Sequence, residues 1–168
     1  MFVLGVDPGL TRCGYCVLRV ARSKSQAVAL GVIRTDAASA VPVRLAELWS
    51  DISQLIDEFP PQAVAIERVL FQTNVRTAIS VAQAAGVVMA EAASRGIEVV
   101  EYSPNQVKDA VAGYGGADKE QVQQMVQILL QLDQPPQPAD AADAAAIALT
   151  HVAFSAGAPQ FTSSAATQ

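Results

Sequence analysis

The strongest constraint in this chain is a repeated arrangement in which a short apolar run ends on an acid. Phe2-Val3-Leu4-Gly5-Val6 stops at Asp7-Pro8-Gly9, and Ala63-Val64-Ala65-Ile66 stops at Glu67. Such short unbroken runs next to turn formers predict strands buried on both faces. In open α/β sheets, ligands and chemistry collect at the carboxyl ends of central strands, which makes Asp7 and Glu67 candidate functional residues. Asp-Pro-Gly is also an ordinary turn, so Asp7 alone decides little; the shared placement of two acids is the signal.

The rest of the chain fills in an α/β pattern. Tyr15 to Val20 and Ala27 to Ile33, separated by the polar stretch Arg22-Ser23-Lys24-Ser25-Gln26, predict a meander of antiparallel strands after the first one. Leu45, Leu48, Ile52, Leu55, Ile56 and Phe59 recur at helical spacing up to Pro60-Pro61, and Trp49 is read into the same core stripe. Thr73 to Arg95 predicts a long helix rich in small residues, closed by Gly96, and Ile97 to Tyr102 a fifth strand. Helices follow from Pro104 to about Ala112, around Val122 to Leu130, and from Pro138 to about Phe154. Residues 1–154 are expected to form one domain and 155–168, which carry no charge, a frayed tail.

Charge narrows the function. The net charge of −5 excludes a protein that coats nucleic acid indiscriminately, so any DNA contact must be a local basic patch. No signal peptide or membrane-length apolar segment is evident, and a cytoplasmic protein is expected. Cys13 and Cys16 sit three apart in a strand, on opposite faces, and are read as buried apolar groups rather than a zinc or disulfide pair.

Asp140 and Asp143 lie three apart near the start of the last helix, on one face, within reach of a common site. Helix capping is the plain alternative, since acids favour a helix N-terminus. Against it, the rest of that helix is nearly all Ala, Ile and Leu, and acids on a buried helix need a cation or strong donors. Four carboxylates without a matching Cys or His set suit hard divalent ions, Mg²⁺ or Mn²⁺, and two such ions per site suit phosphodiester hydrolysis.

At this point a family resemblance is visible. Val3-Leu4-Gly5-Val6-Asp7-Pro8-Gly9, Ala65-Ile66-Glu67, Gln106-Val107-Lys108, Ala117-Asp118-Lys119 and Ala139-Asp140-Ala141-Ala142-Asp143-Ala144 resemble, in order and spacing, the RuvC family of Holliday-junction resolvases, from Phe2 to about His151. The resemblance implies a ribonuclease-H-like fold with a five-stranded mixed sheet flanked by helices. It implies Asp7, Glu67, Asp140 and Asp143 as catalytic metal ligands and Lys119 as a catalytic cation near the scissile phosphate. It also implies a homodimer acting on four-way junction DNA, with RuvA and RuvB as partner proteins. The family carries a base-stacking aromatic in the loop after Glu67. Here Leu70 takes that position and Phe71 follows, so Phe71 is expected to stack.

Arg68, Arg76 and Phe71 give the mixed cationic and aromatic pattern suited to splayed nucleotides. Arg12, Lys108 and Lys119 are further expected DNA contacts. His151 lies two turns beyond Asp143 and is expected to be packed or solvated rather than a ligand. The small residues Ala78, Ala82, Ala85, Gly86 with Met89 are expected to form a two-fold dimer face. The rival readings are another ribonuclease-H-like nuclease acting on RNA in hybrids, an actin-like nucleotide-binding module, and a junction-binding protein without catalysis.

Overall fold

The computed structural model describes residues 1–22, 24–69 and 75–157, except for the side chains of 75–77 and 157. The strands β1 (Phe2–Asp7), β2 (Arg12–Ala21) and β3 (Lys24–Arg34) form the expected meander. Then come α1 (Val41–Glu58), β4 (Ala63–Glu67), α2 (Val75–Ser94), β5 (Glu98–Tyr102), α3 (Pro104–Ala112), α4 (Lys119–Leu130) and α5 (Ala139–Gly157). The sheet order is β3-β2-β1-β4-β5, with β1 central, antiparallel to β2 and parallel to β4. Parallel pairing of β1 with β4 needs a crossover, which α1 supplies.

Strand alternation sorts the apolar residues into two cores. Leu4, Val6, Val64 and Ile66 pack with Leu48, Ile52 and Ile56 of α1 and Ala84, Ala85 and Val88 of α2. Val3, Ala65 and Leu18 point the other way, into a core shared with Val107 of α3, Val126 of α4 and the alanines of α5. Cys13 falls in the first core and Cys16 in the second, and burial pushes both thiols up to about 12. They are unreactive apolar groups, as their spacing predicted.

Several boundaries differ from expectation. β3 absorbs Lys24, Ser25 and Gln26, because it is an edge strand whose outer positions tolerate polar side chains, and Arg22 takes a left-handed conformation (φ 54°) in the turn before it. α5 continues three residues past Phe154, and residues 158–168 of the expected tail lie outside the described residues. Trp49 is not in the core: it is 51% exposed, and its indole N–H donates to Glu91 of α2. An indole carries a donor that needs a partner, and the edge of the α1 stripe provides one where its centre would not.

The small-residue face of α2 is divided rather than continuous. Ala85 is buried against the protein's own sheet and Met89 packs beside it, whereas a Cβ on Gly86 would meet nothing within 4 Å. Among the described residues no helix is long and apolar enough to cross a membrane.

Candidate active site

The alternation that sorts the cores also sorts the acids. Asp7 continues the Val3, Gly5 side of β1, and Glu67 the Ala65 side of β4, so both face α5. Val6 pairs with Ile66, which brings Asp7 and Glu67 out of the sheet side by side. Pairing of Glu67 with Tyr102, extended by the Arg68 N–H donating to the Tyr102 carbonyl at 2.8 Å, fixes the end of β4.

α5 delivers the other two acids, and two strand glycines let it lie close enough to do so. A Cβ on Gly5 would stand 2.2 Å from the Ala144 carbonyl oxygen, and one on Gly14 2.0 Å from the Asp140 carbonyl oxygen. Any side chain at either position would hold α5 off the sheet. Neither glycine was singled out as functional in the sequence, although a glycine inside an apolar strand signals close backbone approach. Ala141, Ala142 and Ala144 to Ala146 are fully or almost fully buried, so α5 runs through the core and shows its acids at its first turns.

The loop after β1 is also pinned. The Thr35 hydroxyl donates to the Leu10 carbonyl, while buried Arg44 donates through Nε to Thr35 Oγ1 at 2.9 Å and through Nη2 to Thr11 Oγ1 at 2.7 Å. Sequence reading missed Arg44, since nothing in its spacing distinguishes it from a solvated helix residue.

Charge in the site is unevenly balanced. Burial, reinforced by Glu67, Asp143 and Asp140 and opposed by Lys119, pushes the Asp7 carboxyl up to about 7. Burial and then Asp143 also raise Glu67. Burial alone would raise Asp140, but the Arg12 guanidinium holds it below the usual carboxylate range. Among the described residues two cations reach the acids: Arg12 donates to Asp140 Oδ2 through Nε (3.0 Å) and Nη2 (2.5 Å), and Lys119 Nζ lies 2.6 Å from Asp143 Oδ2.

Both lysines owe their places to helix caps. Asp118 caps α4 in a reciprocal box with Gln121, which puts Lys119 at the first helical position; Ser103 and Gln106 do the same for α3, which carries Lys108. Burial would lower Lys119, but its bond to Asp143 and the nearby Asp7 and Asp140 raise it. Glu67, Lys108, Lys119 and Asp143 line a cleft of about 240 Å³ floored by Val107, Val122, Ala146 and Ile147.

Of the other expected site residues, Arg68 is exposed just beyond Glu67. Phe71, its rival Leu70 and the Arg76 side chain lie outside the described residues. His151 is buried away from the acids, with Nδ1 3.0 Å from the Tyr102 hydroxyl, and its burial lowers its pKa.

Among the described residues no three Asp, Glu, His or Cys side chains stand close enough to hold one ion as they lie, and Asp140 and Asp143 are paired with Arg12 and Lys119. The chemistry of the donors nevertheless fits a hard divalent cation. All are carboxylate oxygens, two are desolvated and carry raised pKa values, and these are conditions a bound cation relieves.

A mixed sheet in this order, covered on both faces by helices and bearing acids at the ends of β1 and β4 and on α5, defines a nuclease of the ribonuclease-H-like class. A family model described as crossover junction endodeoxyribonuclease RuvC matches residues 3–151, and the chain belongs to the RuvC family. The crossover junction endodeoxyribonuclease RuvC of Natranaerobius thermophilus is 46% identical over 151 residues, which span 90% of this chain and 94% of the relative. The structure of Thermus thermophilus RuvC superposes with a TM-score of 0.87 at 36% identity, covering 93% of this chain and 96% of that one. Thermus thermophilus RuvC in complex with a Holliday junction substrate superposes with a TM-score of 0.88 at 36% identity, covering 92% and 94%.

Proposed function

We propose that this chain is a cytoplasmic Holliday-junction resolvase that acts as a homodimer, nicking two strands of a four-way DNA junction at symmetric positions. The observation that carries this reading is the convergence of Asp7, Glu67, Asp140 and Asp143 from two strand ends and one helix, beside a cleft flanked by Lys108 and Lys119. The match to a relative held on a Holliday junction supports the choice of substrate.

Asp7, Glu67, Asp140 and Asp143 would together hold Mg²⁺ or Mn²⁺, two ions per site. Bound there, the ions supply an activated water and neutralise charge on the leaving oxygen. Asp7 and Glu67 keep their carboxylates on the desolvated floor of the site. Lys119, detached from Asp143, and Lys108 hold the scissile phosphate and offset charge that grows in the transition state. Water attacks phosphorus in line and the bond to the 3′ oxygen breaks, giving 5′-phosphate and 3′-hydroxyl ends. Arg68, Arg76 and Arg12 contact the backbone around the crossover, and Phe71 stacks on an unpaired base. RuvA and RuvB are the expected protein partners.

Incubation with a mobile synthetic four-way junction and Mg²⁺ or Mn²⁺ is expected to give paired, directly ligatable nicks. Faster cleavage of an RNA/DNA hybrid than of the junction would replace this reading with the hybrid nuclease.

The dimer is assigned to the open side of α2, where Ile79 is 52% exposed and Gly86 leaves room for a partner backbone. Gly86→Arg is expected to fold, because a Cβ there meets no described residue within 4 Å, yet to sediment as a monomer and resolve junctions poorly. A wild-type monomer that makes symmetric paired nicks at nanomolar concentration would sink the dimer.

A further inference from the structure

We propose that Arg12 is a latch on the acid site: it keeps Asp140 engaged until a DNA backbone phosphate takes its guanidinium, so that substrate binding and divalent-ion loading favour one another. The inference rests on the metal-dependent reading above and assigns a coupling role to one residue within it.

The latch follows from position. Asp7 pairs with Gly14 across β1 and β2, and Arg12 lies two residues from Gly14, on the same sheet face as the acids. α5, pressed against Gly14 at Asp140, brings that carboxylate directly to it. Nε and Nη2 of Arg12 both donate to the same oxygen, Asp140 Oδ2. Two of the five N–H groups of the guanidinium are thus engaged, and the side chain is 39% exposed against 27% for Asp140, so part of it is open to solvent.

The contact withholds a ligand atom: Asp140 Oδ2 cannot be given to a cation while it accepts both bonds, and among the described residues no three acids come within reach of one ion. Lys119 restrains Asp143 more weakly, as a point charge on a flexible stem that is 60% exposed.

A phosphodiester offers an arginine two charged non-bridging oxygens, a pair of acceptors that a guanidinium binds as readily as it does a carboxylate. Entry of a DNA phosphate therefore competes for the fork itself and exchanges the Arg12–Asp140 pair for an Arg12–phosphate pair, leaving Asp140 free to bind a cation. Because both equilibria draw on the same contact, the coupling is reciprocal: whatever the phosphate gains for the ion, the ion gains for the phosphate.

The test is Mn²⁺ affinity of the metal-free protein, read by electron paramagnetic resonance of free Mn²⁺, compared with the Mn²⁺ concentration that half-saturates junction cleavage. Without DNA, Arg12→Gln is expected to bind Mn²⁺ about 5- to 10-fold more tightly than wild type, with Arg12→Lys between them. In the wild type, half-saturation of cleavage should fall below the Mn²⁺ dissociation constant of the free protein; in Arg12→Gln the two should agree, and cleavage at saturating Mn²⁺ should be slower. Thermal melts in metal-free buffer identify the variants that are folded.

Equal or weaker Mn²⁺ binding by Arg12→Gln and Arg12→Lys overturns the latch, since a purely structural arginine would lose affinity with its fold. A wild type whose Mn²⁺ binding is unaffected by Asp7→Asn overturns instead the metal site on which the latch rests.

Discussion

Asp7→Asn is expected to reduce junction cleavage by about 10³-fold or more while leaving junction binding largely intact, and to make the metal-free protein more stable at about pH 8. The two effects share one cause. Asp7 faces α5 from the centre of the sheet, desolvated and beside three other acids, so its carboxyl titrates at about 7 in the folded protein rather than at its ordinary 3.8. Between those values the folded chain keeps a proton that the unfolded chain has released. Stability therefore falls as pH rises through that window and is lowest above it, where both states are ionised.

At about 1.4 kcal/mol per tenfold, the ionised Asp7 costs the folded apoprotein up to about 4 kcal/mol. Asparagine cannot ionise, so its advantage should be greatest at about pH 8 and vanish by about pH 4. Saturating Mg²⁺ should stabilise the wild type and do much less for the variant. Thermal melts at both pH values, with and without Mg²⁺, check this. A variant that melts with the wild type at the higher pH, or cuts at the normal rate, refutes the assignment of Asp7.

The acids were legible because strand ends and helix spacing are both simple periodicities. Asp7 and Glu67 close apolar runs, and Asp140 and Asp143 share a helix face, so each could be aimed from the sequence without knowing the register. Arg12 and Lys119 were expected near them, but which acid each would pair with could not be read. Arg12 meets Asp140 across 128 positions, and only the packing of α5 on Gly14 makes that contact. Arg44 was hidden for the same reason, because its partners Thr11 and Thr35 lie on two different loops.

Helix faces were legible only where polarity contrasts. Leu48, Ile52 and Ile56 form a clear stripe on α1, whereas Trp49 sits at its margin and could have gone either way. In α2 nearly every position is small or apolar, so periodicity cannot tell which side meets the protein's own sheet. Ala85 turned inward and Gly86 outward, although they are neighbours in one expected face.

The second large effect is expected at Gly14, which the sequence placed inside a strand without a reason for it. An alanine Cβ there would lie 2.0 Å from the Asp140 carbonyl oxygen, 2.6 Å from its carbonyl carbon and 3.2 Å from its Cβ. These neighbours are mostly backbone, and neither side yields cheaply: β2 is paired on both edges, and the alanines of α5 next to Asp140 are buried. The start of α5 must lift away from the sheet. Overpacking of this kind costs about 3 kcal/mol, which lowers the melting temperature of a chain of this size by roughly 6 to 12 °C. The lift also carries Asp140 away from Asp7, and a displacement of about 1 Å in a catalytic group slows cleavage about 10²-fold. Gly31→Ala is the matched control, since the three atoms nearest its Cβ all belong to the outer end of the Tyr15 side chain, at 2.9 to 3.2 Å, which can swing aside. It should melt close to the wild type and cut junctions at a similar rate. If Gly14→Ala behaves like Gly31→Ala in both measurements, the tight seat of α5 is not what positions Asp140.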